Sequence, residues 1–402
     1  MALLSLWSSN PDAVSSLSIE QIVATAGDGK LRDDSECSKE LRAFLSQVSS
    51  EKLGEYADNC LSTSFSKSGM VLQDIVNELG RRLDYAVTNG RYQGTAALVG
   101  NDGLWHGPEG LDILVEVKTT DAFRVPLNTI ADYRNRLHSD GTIGQASSML
   151  LVVGREDTGE LEAQVRGSRH AWDMRLISVD ALVRLVKLKE STEELATGSK
   201  IRSVLAPIEY TRLDSLIDVM FTAAKDVESA VEIEKQSTEG DDSAGSGWDF
   251  TDSALLQKKK DQILSALGRL HGAKLIRKSR ALYWNAEHNF RTVCTVSKKY
   301  SGRGTVPYWY AYHPQWDDFL GAAEVGFFVL GCMDLNVAFA IPVQLFRQHL
   351  EELNTTPPNA TPKSDTKSYW HVKIIEPQSK SFFLQMPKSG HHIPLVNYGF
   401  DI

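Results

Sequence analysis

The sequence predicts an α/β chain in two structured parts, a mixed α/β half followed by a separate α+β half. Three observations carry this. Between residues 70 and 190, stretches with apolar residues at helical spacing alternate with short β-branched runs, the pattern of helices packed on a sheet. Residues 236–247, Q-S-T-E-G-D-D-S-A-G-S-G, are small, polar and acidic and read as a linker. Beyond them a long amphipathic stretch is followed by aromatic-rich runs of strand length. At 402 residues the chain can hold two or three full cores. The expected division is a helical segment over 1–69, an α/β core over 70–190, a helical extension over 191–235, a linker over 236–250 and an α+β domain over 251–402.

Composition excludes several classes. With 42% hydrophobic and 24% charged residues the chain reads as soluble and globular. The N-terminal M-A-L-L-S-L-W has neither a basic region nor a long apolar run, so neither a signal peptide nor a membrane span is expected. Four widely spaced cysteines without C-x-x-C argue against a zinc ribbon or a disulfide framework and fit the reducing cytoplasm. A net charge of −9 argues against a general nucleic-acid coat protein.

Taken in order, residues 18–23, 38–48 and 49–59 read as helices. Residues 69–85 form a stronger one, with Leu72, Ile75, Val76, Leu79 and Leu83 on one face and Glu78 on its flank. Short strands are expected at 85–90 and 95–99. A helix follows over 127–137, capped by Asn128 or Thr129. A strongly apolar strand at 149–153, a strand at 173–178 and a helix at 179–189 complete the first half, with further helix over 213–230.

The informative stretch is D-G-L-W-H-G-P-E-G-L-D-I-L-V-E-V-K, Asp102 to Lys118. Ile113, Val115 and Val117 point to one face of a strand, and Glu116 and Lys118 to the other. Charge on an apolar strand is costly unless it is paired or holds a metal. Pro108-Glu109-Gly110 is a turn signal. Folding the chain about Glu109 sets Asp102 opposite Glu116, with Cβ atoms roughly 4.5–5.5 Å apart, where two carboxylates can share a divalent cation. Asp112 is a rival ligand, but it lies four residues from Glu116, roughly 13 Å along the strand. A register slip of one residue would turn Asp102 to the wrong face.

Asp102, thirteen intervening residues, then Glu116-Val117-Lys118 resembles the signature of the PD-(D/E)XK nuclease superfamily, with Asn101 where the motif's proline stands. The resemblance covers roughly residues 72–189. It implies a restriction-endonuclease-like αβββαβ core, Mg²⁺ dependence (with Mn²⁺ as a substitute) and DNA cleavage. Asp102, Glu116 and Lys118 are then the expected catalytic residues. Asp102, Glu116 and the Val117 carbonyl would hold the metal, and Lys118 would orient a water or neutralise charge developing at phosphorus. The family also suggests two accessory positions, Glu78 on the first core helix and Gln145 before the apolar strand. Both also read as ordinary structural residues.

In the second half, residues 253–270 read as a helix with Leu255, Ile263, Leu264, Leu267 and Leu270 apolar and Lys258-Lys259-Lys260 on its exposed side. Strands are expected at 282–284, 290–297, 308–312, 325–331, 337–342, 370–376 and 382–385, with a helix over 342–353 and a proline-containing loop over 354–365. Between Gln257 and Arg303 twelve basic residues face two acidic ones. Lys298, Lys299 and Arg303 in a glycine-rich loop, with Arg277, Lys278 and Arg280, are the DNA-contact candidates. Most of the aromatic residues here read as core rather than as base-stacking platforms.

The expectation is therefore a cytoplasmic, Mg²⁺-dependent endonuclease acting on double-stranded DNA, in restriction or other anti-phage defence, working as a homodimer or with a partner protein. Three alternatives stay open: a repair or junction-processing nuclease, a DNA-binding or scaffolding component with a nuclease-like core, and a plain hairpin bearing an exposed Glu-Lys pair.

Overall fold

Seven consecutive buried residues, Ser147–Val153, make the central strand of the first half of the chain. A strand buried on both faces takes this near-continuous apolar sequence because helices cover it above and below. The computed structural model describes residues 2–63, 65–92, 100–119, 125–154, 159–192, 196–206, 253–300, 307–356, 369–378 and 381–402. The strand expected at 95–99, the helix expected over 213–230 and the linker at 236–247 lie outside them. The chain divides into two units, Met1–Asp226 and Val227–Ile402, and its class is mixed α/β.

The first unit opens with five helices: α1 (Ala2–Ser9), α2 (Pro11–Ser15), α3 (Ile19–Thr25), α4 (Glu36–Leu45) and α5 (Ser50–Ser62). Ser18 and Gln21 close a reciprocal capping box at the start of α3. The next helix, α6 (Ser68–Arg82), stops where Asp84 takes a positive φ of 66°. Then come β1 (Ala86–Asn89), β2 (Gly103–His106), β3 (Asp112–Lys118), α7 (Leu127–Ser139), β4 (Ser147–Val153), α8 (Gly159–Arg166), β5 (Met174–Ser178), α9 (Val179–Ser191) and α10 (Thr197–Leu205). The strands form one sheet in the order β1-β2-β3-β4-β5. The first three run as an antiparallel meander, and β3, β4 and β5 run parallel.

Each face of this sheet has its own core. Ile113, Val115, Leu150 and Val152 pack into a cluster with α1, α3–α6, α9 and α10. Leu114, Met149, Leu151 and Val153 pack on the other face against α7 and α8. The N-terminal helices therefore share a core with the sheet. Helix α7 differs from expectation at its start: Pro126 stands at the N-cap with no side-chain hydrogen bond, so neither Asn128 nor Thr129 caps it.

The second unit begins with α11 (Ser253–His271) and continues through β6 (Ile276–Arg277), β7 (Leu282–Trp284), β8 (Phe290–Ser297), β9 (Tyr308–Tyr312), α12 (Pro314–Gly321), β10 (Val325–Cys332), β11 (Val337–Pro342) and α13 (Val343–Arg347). A 3₁₀ turn at Leu350–Glu352 replaces the end of the helix expected over 342–353. Strands β12 (Thr355–Thr356), β13 (Tyr369–Gln378), β14 (Ser381–Gln385), β15 (His392–Pro394) and β16 (Gly399–Asp401) close it. One sheet has the order β16-β11-β10-β8-β7-β6, and a second joins β12-β13-β14-β15 with β9 on β13. Tyr308, Tyr310 and Tyr312 from one sheet meet Phe328, Leu330 and Ile341 from the other in a shared core. Helix α11 covers the far face of the first sheet through Ile263, Leu264 and Leu267. Its lysines do not form one exposed side. Lys260 is buried with Nζ on the Arg280 carbonyl, and Lys259 Nζ bonds the Leu335 carbonyl, while the apolar Leu255 and Leu270 are exposed.

Candidate functional site

The hairpin of β2 and β3 turns over residues 107–110. Gly107 N–H donates to the Leu111 carbonyl, and Gly110 sits at φ +79°, a conformation glycine adopts without strain. The turn sets the register. Gly103 pairs with Val115, Leu104 with Leu114, Trp105 with Ile113 and His106 with Asp112. That is the pairing obtained by folding the sequence about Glu109, and it holds as far as Gly103. Beyond it the Asp102 N–H also turns to the Val115 carbonyl, so Asp102 departs from the expected step opposite Glu116.

Asp102 lies one residue before β2, where the regular ladder gives way. Its N–H still donates to the Val115 carbonyl at 3.1 Å, and its carboxylate Oδ2 accepts the Val117 N–H at 2.6 Å. Glu116 is 8% exposed. Its Oε1 accepts from Lys118 Nζ at 2.5 Å, while its Oε2 is buried and, among the described residues, has no hydrogen-bond partner. Asp102, Glu116 and Lys118 thus meet at one end of the hairpin.

The electrostatics follow from burial. Loss of water pushes the Asp102 carboxyl up to about 7; the Glu116 charge pushes the same way, and the Val117 N–H and Lys118 oppose it. Burial likewise raises Glu116 against the pull of Lys118. Two buried carboxylates with one ammonium leave a negative charge uncompensated. An orphaned buried carboxylate oxygen beside a second carboxylate is a donor set that suits a hard divalent cation. Among the described residues no group of three or more His, Cys, Asp or Glu side chains is placed to hold a metal. The fit is to an ion such as Mg²⁺, which takes one or two carboxylates and keeps several waters.

The accessory positions do not join this group. Glu78 is buried on α6 in ion pairs with Arg81 at 3.5 Å and Arg82 at 3.3 Å. Arg82 goes on to bond Ser50 and the Leu45 and Val48 carbonyls, so Glu78 ties α6 to α4 and α5. Helix α6 packs on the sheet face formed by Ile113 and Val115, the face opposite Glu116. Gln145 is exposed at the start of β4. Because Asp112 pairs with Ser147 and Glu116 with Leu151, Gln145 lies at the far end of the sheet, roughly 20 Å away at strand rise. Asp112 is also at that end. It bonds His106 Nδ1 at 2.8 Å and accepts the Gly144 N–H at 2.7 Å.

Two residues that the motif does not include touch the site. The side-chain amides of Gln73 and Asn77 on α6 each donate to the Asp102 carbonyl at 2.9 Å. Their spacing of four on one helix is the sequence signal that could have drawn attention to them.

In the second unit, Arg277, Lys278 and Arg280 belong to the β6–β7 hairpin at the edge of its sheet. Lys278 Nζ sits 4.1 Å from the centre of the Trp284 ring, which also stacks on His288. Arg277 Nε is buried without a hydrogen-bond partner among the described residues. Lys299 is ion-paired with Glu376 at 3.2 Å and lies 4.0 Å from Asp334, so its charge is already answered within the chain. Lys298 lies over the Tyr300 ring at 5.6 Å. Arg303 lies outside the described residues. No helix among the described residues is long and apolar enough to cross a membrane.

Comparison with models of known protein families finds no match, and neither does comparison with curated proteins.

Proposed function

We propose that this chain is a divalent-metal-dependent endodeoxyribonuclease of the PD-(D/E)XK type. The observation that carries the reading is the meeting of two carboxylates and a lysine, Asp102, Glu116 and Lys118, at one end of the β2–β3 hairpin. The element order α6-β1-β2-β3-α7-β4 supports it, since it has the αβββαβ sequence that such a core requires. Asp102 and Glu116, with the Val117 carbonyl, would hold Mg²⁺ or Mn²⁺, which when bound supplies Lewis acidity toward a water and a phosphate oxygen. Asp102 is oriented through its bond from the Val117 N–H. Lys118 brings a positive charge beside Glu116, where it would hold the attacking water or stabilise charge developing on phosphorus. Restriction or anti-phage cleavage of double-stranded DNA in the cytoplasm is the role we assign, with the basic β6–β7 hairpin contacting phosphates. Two copies, or a partner protein, would supply the second cut.

A second reading is a DNA-binding component with a catalytically silent core. The contact of Lys118 with Glu116 favours it, because an internal ion pair partly satisfies the carboxylate without a metal.

Digestion of supercoiled plasmid in Mg²⁺ by the wild-type chain, Asp102→Ala and Lys118→Ala tests the proposal. Cleavage by the wild type alone is expected. Equal cleavage by both variants overturns the site. A wild-type chain that cuts no methylated, unmethylated, single-stranded or branched DNA favours the silent core.

A further inference from the structure

The Asp102 carbonyl accepts three N–H donors: the Gly90 backbone at 3.0 Å, Gln73 Nε2 at 2.9 Å and Asn77 Nδ2 at 2.9 Å. Three donors exceed the two lone pairs of a carbonyl oxygen. Gln73 is 3% exposed and Asn77 1%. The Asn77 amide is fixed in turn, because its Oδ1 accepts from Trp105 Nε1 at 3.0 Å, and an indole N–H can only donate. The local glycines make room for this. A Cβ at residue 103 would lie 2.1 Å from Asn77 Oδ1, and one at residue 90 would lie 1.9 Å from the Asn101 carbonyl.

We infer that Gln73 and Asn77 are positioning residues that hold Asp102 for divalent-cation binding. The inference rests on the metal-centre reading given above. The physical case is one of cost. Burying two amides is unfavourable unless they are bonded, and apolar residues of similar size would fill the same helix face without that penalty. Here both amides converge on the backbone of one residue, the one whose carboxylate meets Glu116. That residue lies just outside β2, where its N–H bonds the Val115 carbonyl and its carbonyl accepts the Gly90 N–H. The clamp from α6 adds two side-chain donors to these backbone bonds, with Trp105 keeping the Asn77 donor aimed at its target. Partners behind a metal ligand characteristically set affinity by about 10–100-fold.

The test is calorimetric titration of Mn²⁺ into the full chain, comparing wild type with Gln73→Met and Asn77→Ala, alongside thermal melting of each in EDTA. Gln73→Met keeps the volume and removes the donor. The expected result is an Mn²⁺ dissociation constant raised about tenfold or more in each variant, with folding in EDTA retained. Unchanged Mn²⁺ affinity in folded variants overturns the clamp while leaving the metal centre standing. Unfolding of both variants in EDTA assigns the amides to the fold and also overturns it. A wild-type chain that binds no Mn²⁺ overturns the metal centre and the clamp together.

Discussion

The carboxylate of Asp102 accepts a 2.6 Å hydrogen bond from the backbone N–H of Val117. One contact thereby joins the end of one hairpin strand to the segment that carries Glu116 and Lys118. It engages Oδ2, so on the proposed metal-centre reading Oδ1 is the oxygen that would meet a cation.

Stability without metal falls as pH rises. Burial, then the Glu116 charge, lifts the Asp102 carboxyl from 3.8 to about 7, and Glu116 is also raised. An acid whose pKa is higher in the folded chain binds more protons folded than unfolded, so stability declines from about pH 4 to about pH 7. On the proposed metal-centre reading, a divalent cation would compensate the ionised pair. Thermal melting in EDTA should therefore give a lower Tm contribution from this pair at pH 8 than at pH 5, and added Mg²⁺ should raise Tm more at pH 8. Equal Mg²⁺ responses at the two pH values would argue against the pair as ligands.

Replacing Glu78 should destabilise the fold and leave Mn²⁺ affinity unchanged. Glu78→Ala leaves the 8% exposed Arg82 without its carboxylate, a loss of about 3 kcal/mol. Chemical denaturation should show that loss, and Mn²⁺ titration should show wild-type affinity. A Glu78→Ala variant that is stable but binds Mn²⁺ weakly would put Glu78 back in the centre.

What could be read in advance divides along a physical line. The hairpin register was legible because a hairpin is local: a turn signal and a period of two fix it, and Gly103 does pair with Val115, although Asp102 itself slips onto the Val115 carbonyl and meets Glu116 through its side chain, not as a ladder pair. The strands from Phe290 to Pro342 were legible for the same reason, as β-branched and aromatic runs of the right length. Glu78 was not. Its flank of α6 looks solvated in sequence, yet Gln73, Asp74, Asn77, Glu78 and Arg82 are all buried, because elements distant in sequence cover that side. Gln145 fails differently. Adjacency to an apolar strand does not say which end of the sheet that strand's start will occupy, and parallel pairing with β3 sends it to the Asp112 end. Lys260 stands beside two lysines that looked equally exposed, and only the path of β6–β7 brings a carbonyl to its Nζ.

Lys118 separates binding from chemistry. Its Nζ contacts Glu116 Oε1, so Lys118→Met relieves competition for that oxygen. Mn²⁺ affinity in the variant should be equal to wild type or tighter. Plasmid cleavage should fall by about 100-fold or more, the scale for losing a positive group at developing charge. Weakened Mn²⁺ binding would assign Lys118 to holding the site together.

On the proposed DNA-contact reading, the basic residues of the second unit should contribute unequally. Lys299→Ala removes a charge already paired with Glu376, so DNA affinity and its salt slope should barely change. Combined Arg277→Ala, Lys278→Ala and Arg280→Ala should weaken binding at low salt and reduce the slope by about one for each phosphate no longer neutralised. Fluorescence anisotropy on a short duplex across a salt series reads both. A large Lys299 effect with a silent triple variant would move the interface to the segment after β8.

The claim that Asp102 and Glu116 share one cation is tested most directly by anomalous diffraction from crystals of the full chain grown with Mn²⁺. The account predicts a single peak in the first unit, roughly 2 Å from carboxylate oxygens of both Asp102 and Glu116. A peak at Asp112 and His106 instead, or none near Asp102 at a Mn²⁺ concentration that supports cleavage, would contradict it.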